Sequence, residues 1–164
     1  DWVLVSSEKY DDIMEDFMSS NAEGPDMEAV RRNIENSDSS GMFFLYSPSY
    51  IVNINIGVLL MNIELSANEL MFLVPMITSQ YADVMGESLA RVEGLEAVVD
   101  LEGMQFNHIA FTYELNGSMR YCEQYMICPG NLYAITATYP YDDTAAFDIY
   151  HPVVERIAAT LKVP

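Results

Sequence analysis

The dipeptide Asn116-Gly117 constrains the fold more than any other feature of this chain, because it lies between two long stretches that are predicted to be strands. Asn-Gly is the strongest short hairpin signal, since both residues tolerate the positive φ angles of a two-residue turn. It predicts that the strand Met104 to Leu115 pairs with the strand Met119 to Cys128. A two-residue turn places Leu115 opposite Ser118 and thereby sets the register of the whole hairpin.

A second reversal is predicted at Pro129-Gly130, which leads into a third strand from Leu132 to Tyr139. Pro-Gly favours a type II turn, although that turn splays the strands it joins. A two-residue turn at this point pairs Ala137 with Cys122, Ile135 with Gln124, Thr136 with Glu123 and Thr138 with Tyr121. The second half of the chain is therefore predicted to form an antiparallel meander.

These registers divide the side chains of the meander between two faces, because successive residues of a strand point in opposite directions. The first face is predicted to be core, and it contains Tyr113, Phe111, Ile109, Cys122, Met126, Tyr133 and Ile135. The second face mixes Phe106 and Ile127 with a polar and aromatic group. Because apolar residues occur on both faces, both need cover. The sequence thus predicts an α+β fold, an antiparallel β-sheet with helices on both faces.

The polar and aromatic group on the second face is the candidate ligand-binding site, and it consists of Glu123, His108, Tyr121, Tyr125, Thr136 and Thr112. Aromatic rings and hydroxyl groups around one carboxylate are a common lining of small-molecule and peptide sites. The same composition also fits a sheet face that grades into solvent. The sequence favours this second interpretation.

Helical spacing and turn residues indicate the remaining elements. Strands are predicted at Trp2 to Val5, Met42 to Tyr46, Tyr50 to Gly57 and Ala97 to Leu101, and helices at Glu8 to Ser20, around Met27 to Ile34, from Ser66 to about Gly86, and from Asp143 to Leu161. Ser66 and Glu69 form a capping box, and Pro75 is expected to break the helix that they start. All 164 residues are predicted to form one domain, with a helical N-terminal part over 6–38.

The charge of the chain limits its partners, since 25 acidic residues face only 7 Lys and Arg, a net charge of −18. Nucleic-acid binding depends on Lys and Arg releasing counterions from phosphates, so it is not expected. Attraction to cations or basic partners competes with the simpler interpretation of a solvated acidic surface, which we favour. No apolar run reaches the ~18 residues of a membrane-spanning helix.

Catalytic and metal sites are not predicted. Cys122 and Cys128 lie six residues apart on one strand, about 20 Å at ~3.3 Å per residue, so they cannot form a disulfide with each other and are interpreted as buried structural thiols. The register places His108 on the face opposite both cysteines, and His151 lies in the last helix, so no zinc site is expected. The acidic groups at 11–16 and 142–143 fit helix surfaces and starts, and no cofactor is predicted.

The segments Asn116 to Tyr125, Pro129 to Thr136 and Ile51 to Ile56, with the closing helix into Val163, resemble the second half of PsbP-like domains. The likeness extends over about Met42 to Val163. The resemblance implies an α/β/α sandwich around an antiparallel sheet. The family includes photosystem accessory proteins, a Ran-binding nuclear-import factor and exported bacterial lipoproteins, and it shares no catalytic residues that could be transferred here. The chain departs from the family over Ser6 to Asp38, which is predicted as two helices.

Three functions are therefore carried forward. The first is a non-catalytic binding or protein-interaction domain, which uses either the face around Glu123 or the acidic helices. The second is a carrier of a small molecule or cation on the same face, and the third is a hydrolase that uses His108 and Glu123. The resemblance, together with a chain that begins at Asp1 without Met, leads us to expect an exported protein, anchored to lipid through a removed N-terminal segment, or otherwise a trimmed chain.

Overall fold

The structure is a computed structural model that describes residues 3–5, 43–47, 52–85, 89–92, 97–115 and 117–161. The two helices predicted over 6–38 lie outside these ranges and stay predictions. The described elements follow the chain as β1 (Val3–Val5), β2 (Phe43–Tyr46), β3 (Asn53–Leu65), α1 (Ala67–Leu70), a 3-10 turn (Met71–Leu73), α2 (Val74–Met85), β4 (Ala90–Arg91), β5 (Ala97–Leu101), β6 (Met104–Leu115), β7 (Ser118–Pro140) and α3 (Thr144–Ala159).

The strands form one antiparallel sheet in the order β1-β2-β3-β7-β6-β4, with β5 also paired to β6. The β6–β7 pairing confirms the register predicted from Asn116-Gly117, because Leu115 pairs with Ser118 and the pairs continue to Asn107 with Met126. Gly117 has a φ of +79°, the left-handed conformation that a tight hairpin turn requires and that glycine adopts without strain.

Strand β7 is 23 residues long and doubles back on itself. The Cys122 Sγ lies 3.5 Å from the Thr138 Oγ1, the Gln124 Nε2 donates to the Thr136 Oγ1 at 2.8 Å, and the Tyr141 N–H donates to the Met119 carbonyl. Each of these pairs is equidistant in sequence from Gly130, whose φ is +121°. The chain therefore reverses at Gly130, close to the predicted second turn.

The register predicted for this second reversal is wrong by one residue. It paired Cys122 with Ala137, whereas the structure brings Cys122 to Thr138. A two-residue Pro-Gly turn would splay the strands, and a reversal centred on Gly130 avoids that arrangement. Because a slip of one residue exchanges the two faces of a strand, Tyr133 and Ile135 pack in the cluster on the second face, not on the first.

Strand β3 runs beside the returning half of β7 and extends well beyond the predicted end at Gly57. Its register starts with Asn53 opposite Thr138, continues to Leu59 opposite Leu132, and shifts before Ile63 opposite Gly130. At this shift Asn62 has a φ of +55°, which marks the bend that lets β3 follow the reversal of β7.

Helices cover both faces of the sheet, as predicted. On the second face, Ala146, Val154 and Ala158 of α3 pack in one core cluster with Phe106, Tyr125, Ile127, Ile135, Ala137 and Tyr139 of the sheet. The first face packs against α1 and α2, where Leu70 and Val74 meet Ile109, Met126 and Cys128. The second face is thus core as well, and the interpretation of a face grading into solvent is wrong. The fold is α+β with an α/β/α arrangement.

Local signals define the helix ends. The Ser66–Glu69 capping box is present, with the Ser66 N–H bonded to Glu69 Oε2 at 2.8 Å, and the Asp143 side chain caps α3 by accepting from the Ala146 N–H. A 3-10 turn interrupts the helix ahead of Pro75, which then lies in the first turn of α2, where its missing N–H costs no hydrogen bond. None of the helices in the described ranges is long and apolar enough to cross a membrane.

Candidate functional site

Glu123 is the centre of the candidate site, because it is a carboxylate with 0% exposure on the sheet face beneath α3. The Tyr139 hydroxyl donates to its Oε1 at 2.6 Å, and the Tyr125 hydroxyl donates to its Oε2 at 3.3 Å. The His151 Nδ1 lies 2.9 Å from Oε1 and 3.0 Å from Oε2. Such an arrangement occupies the acceptor positions of the carboxylate and compensates for its removal from water.

Four parts of the fold bring these groups together. Glu123 and Tyr125 lie two residues apart on β7 and share a face, while Tyr139 comes from the returning half of the same strand. His108 faces Tyr125 across the β6–β7 pair. His151 lies on α3, where its ring stacks on Phe147 one turn earlier at a centroid distance of 4.7 Å.

His108 completes the deep end of the site but is held less firmly. Its ring stacks on Tyr125 at 4.5 Å, and its Nε2 lies 3.4 Å from the Glu123 Oε2, long for a hydrogen bond. This Nε2 is buried and makes no other hydrogen bond among the described residues, and the residue as a whole is 9% exposed. This nitrogen is therefore buried with only one long polar contact.

The electrostatics of the cluster favour a charged Glu123. Burial alone would raise the pKa of its carboxyl, but the contact with His108, the hydrogen bonds from His151 and Tyr139, and the charge of His151 outweigh burial and lower that pKa to about 2. The bond to Glu123 raises the pKa of His151 despite its partial burial. Burial and the Glu123 charge raise the pKa values of Tyr125 and Tyr139 well above the ordinary range. Glu123 and His151 thus form an ion pair.

The free energy of unfolding is expected to be highest between about pH 4.5 and pH 6.5. Glu123 has a folded pKa of about 2, below its ordinary 4.5, so its stabilisation is present above pH 4.5 and is lost as the pH falls toward 2. His151 has a folded pKa above 6.5, so its contribution is present below pH 6.5 and is lost as the pH rises through the folded value. Urea unfolding at a series of pH values from 2 to 8 measures both the loss of stability at low pH and the loss at high pH.

The Glu123→Gln variant is the control for the loss of stability at low pH. The difference in unfolding free energy between the wild type and this variant is expected to shrink by about 3 kcal/mol between pH 5 and pH 2, as the pKa shift requires. The difference between the wild type and His151→Gln should shrink above pH 6.5. Differences that do not change with pH would show that the ion pair is not coupled to folding.

A cavity of about 570 Å³ opens beside this cluster, between α3, β5 and the β6–β7 hairpin. The helix contributes one stripe of residues at three- and four-residue spacing, as expected for one helix face. This stripe is Thr144, Phe147, Asp148, His151 and Glu155, and the sheet side is lined by Val99, His108, Tyr121, Glu123, Tyr125 and Tyr139. The cavity is thus aromatic with a carboxylate at its deep end.

Four of the six predicted site residues line the cavity: Glu123, His108, Tyr121 and Tyr125. Thr112 faces Tyr121 across the hairpin, but its hydroxyl lies 3.4 Å from the Ala90 carbonyl and it does not line the cavity. Thr136 was predicted beside Glu123. It instead lies on the opposite face, bonded to Gln124, because of the one-residue shift in β7.

Sequence reasoning missed the other lining residues, of which Tyr139, Phe147 and His151 contact Glu123 or the side chains that hold it. Tyr139 was assigned to the third strand in a register that faced it away from Glu123. His151 was set aside because it lies far along the chain, in the last helix. A signal did exist, since Phe147 and His151 lie four residues apart in the predicted helix from Asp143 to Leu161, which places them one turn apart on the same face.

The cysteines lie away from the cavity, as predicted. Both are buried free thiols, and Cys122 is on the first face while Cys128 donates to the Ile63 carbonyl. Burial raises the pKa of Cys122 to about 12, which fits a structural thiol. In the part of the chain that the structure describes, no three His, Cys, Asp or Glu side chains are grouped as metal ligands.

Comparison with known proteins identifies the fold. No family model and no curated protein matches the sequence. Among solved structures, the chain is similar to cyanobacterial PsbP from Synechocystis, with a TM-score of 0.52 and 9% identity over 99% of this chain and 82% of that one. It is also similar to a protein of unknown function from Pseudomonas aeruginosa, with a TM-score of 0.50 and 10% identity over 69% of this chain and 73% of that one. The fold is PsbP-like.

Proposed function

We propose that this chain, which has the PsbP-like fold, is a non-catalytic binding domain whose site is the cavity beside Glu123. The observation that carries the proposal is the cavity itself, about 570 Å³ in volume, with aromatic walls and a fixed carboxylate network at its deep end. Binding pockets for small molecules have volumes of about 300–1,000 Å³ and combine apolar walls with a few fixed polar groups.

The network around Glu123 supports a preformed site. Its carboxylate is held by Tyr139 at 2.6 Å and by His151 at 2.9 Å, and both rings pack on Phe147. Side chains held by several contacts lose little further freedom when a ligand binds, so less of the binding energy is spent on ordering them. The site therefore suits a small ligand that enters beside α3.

The geometry does not favour a hydrolase built on His108 and Glu123. A general base must accept a proton near the working pH, whereas the pKa of Glu123 is lowered to about 2 and its oxygens are already occupied. Cys122, the nearest thiol in sequence, lies on the other face of the sheet and hydrogen-bonds toward Thr138. The groups around the cavity are arranged for binding.

A protein partner would reach the Glu123 face with difficulty. Helix α3 covers this face, and its Val154 and Ala158 are fully buried against the sheet. A partner could offer only a side chain or a chain end to the cavity mouth. The geometry therefore supports a small ligand better than a broad protein interface at this face.

The test is a fragment screen by NMR with the ¹⁵N-labelled protein. Fragments are expected to shift the backbone amides of residues 121–125, 139–141 and 144–155, which surround the cavity. The variant Thr144→Trp places a large ring at the mouth from an exposed position in the first turn of α3. It is expected to weaken binding by about tenfold or more, because the ring competes with the ligand for space.

The variant Ala145→Trp is the matched control, because Ala145 is the next residue, is also exposed and does not line the cavity. It should bind fragments as the wild type does. Fragments that bind Thr144→Trp and the wild type equally, or a screen in which no cavity amide shifts at millimolar concentration, would contradict the proposal.

We also propose that the protein functions outside the cytoplasm. This rests on the resemblance to exported proteins, and lipid anchoring through a removed segment belongs to the same proposal. Fractionation of the producing cells, with protease treatment of intact cells, tests it. Recovery only in the cytoplasmic fraction would contradict it.

A further inference from the structure

The charges around the cavity are strongly one-sided. Four carboxylates line it, those of Glu123, Asp143, Asp148 and Glu155, and neither Lys nor Arg is among the lining residues. Glu123 is paired with His151, and Asp143 caps α3 through the Ala146 N–H. Asp148 is exposed on the helix beside the opening, and Glu155 lies 3.5 Å from the His151 Nε2. The deep end is thus balanced in charge, while the opening is negative.

Aromatic rings form the wall between the deep end and the opening. The Phe147 ring meets Tyr121 at 5.5 Å and Tyr139 at 5.2 Å, both in edge-to-face contact. Tyr141, which is 53% exposed, stands at the rim. Aromatic faces attract cations, and a cleft of one sign with low-dielectric walls concentrates ions of the opposite charge.

A third feature is the polar character of the deep end. His108 is one of the residues that line the cavity, and its buried Nε2 has only the long 3.4 Å contact with Glu123. Buried polar atoms normally have a close hydrogen-bond partner, so this end of the cavity is polar. The cavity therefore contains a polar contact at its end, an aromatic wall and a negative opening.

We infer that the ligand of this cavity is an organic cation, with an apolar or aromatic body against Tyr121 and Phe147 and a protonated amine at the opening near Asp148. The inference rests on the proposed function and adds the chemical class of the ligand. An anion would be repelled by the carboxylates of the opening. A neutral compound would contact the same aromatic walls but would lack the electrostatic attraction to the carboxylates of the opening.

The inference is tested with three probes that share one aromatic body: 2-phenylethylammonium, 2-phenylethanol and 3-phenylpropionate. Their dissociation constants are measured by NMR titration near pH 6.5 at low ionic strength. The ammonium compound is expected to bind about tenfold more tightly than the alcohol, and the carboxylate to bind most weakly. About 0.5 M salt should reduce the preference for the ammonium compound, since exposed charges are screened.

The variant Asp148→Asn locates the effect. It is expected to weaken binding of the ammonium compound by about threefold and to leave the alcohol unchanged, because one partly exposed charge contributes little more than this. The control Glu64→Gln removes one exposed charge from β3, outside the cavity, and should change neither constant. Thr144→Trp separates cavity binding from adhesion of cations to the acidic surface, because only cavity binding is blocked.

The outcomes separate the two proposals. Ammonium binding no tighter than alcohol binding overturns the inference while the cavity remains a binding site. Ammonium binding that survives Thr144→Trp also overturns it, since the cation then binds elsewhere. Failure of all three probes to bind overturns the inference, and the fragment screen decides independently whether the cavity binds small molecules.

Discussion

Glu123→Ala is expected to lower the free energy of unfolding at pH 7 by about 3 kcal/mol, at the lower end of the 3–5 kcal/mol typical of broken buried ion pairs. The variant removes the carboxylate that raises the pKa of His151 and leaves the hydroxyl donors of Tyr139 and Tyr125 without their acceptor. The adjoining cavity admits water to these donors, which keeps the loss near the lower end. Urea unfolding followed by circular dichroism measures the change.

Two comparisons make the Glu123 experiment specific. Glu64→Ala truncates an exposed carboxylate and should change the stability by no more than about 0.5 kcal/mol. In the double-mutant cycle with His151→Ala, the two losses should be less than additive by about 1–3 kcal/mol, since the pair shares one interaction. Additive losses would mean that Glu123 and His151 do not interact in solution.

Phe106→Ala is expected to destabilise the protein by about 3–5 kcal/mol, the usual cost of deleting a fully buried ring. Phe106 is 0% exposed and packs edge to face on Tyr125 in the cluster that joins the sheet to α3. Its removal costs apolar burial and leaves a cavity that the paired strands β5 and β7 cannot collapse to fill. The same urea experiment measures the effect.

Phe72→Ala is the matched control for Phe106→Ala, because Phe72 lies in the 3-10 turn and is 84% exposed. The same atoms are deleted without loss of a core contact, so a change within about 0.5 kcal/mol is expected. Similar losses for the two variants would place Phe106 outside the core and contradict the packing of α3 on the second face. Phe106→Leu, which keeps most of the volume, should recover part of the loss.

The stability predictions and the ligand predictions concern different parts of the structure. The stability predictions concern the network that holds Glu123, whereas the ligand predictions concern the opening beside Asp148. Asp148→Asn removes a charge from the opening without touching the network, since Asp148 makes none of the contacts to Glu123 described above. A loss of ligand binding in that variant, with stability unchanged, would therefore report on recognition alone.

Short-range signals in the sequence determined the elements that depend on residues close to one another. The Asn116-Gly117 signal predicted Leu115 opposite Ser118, and the β6–β7 register of the structure agrees with it. The capping box joins Ser66 to Glu69, three residues apart, and Asp143 caps the start of α3 in the same way. In each case the stabilising contact lies within one turn, so composition and spacing are enough to predict it.

Only the tertiary structure decided the second register and the composition of the site. The returning half of β7 pairs with β3, where Ile54 lies opposite Ala137 although the two residues are far apart in sequence. In the register that the structure shows, Thr136 lies on the face opposite Glu123. His151 reaches Glu123 only because α3 docks on the sheet. Registers and docking are set by the burial of whole faces, and a slip of one residue exchanges the faces, so local pattern alone does not determine them.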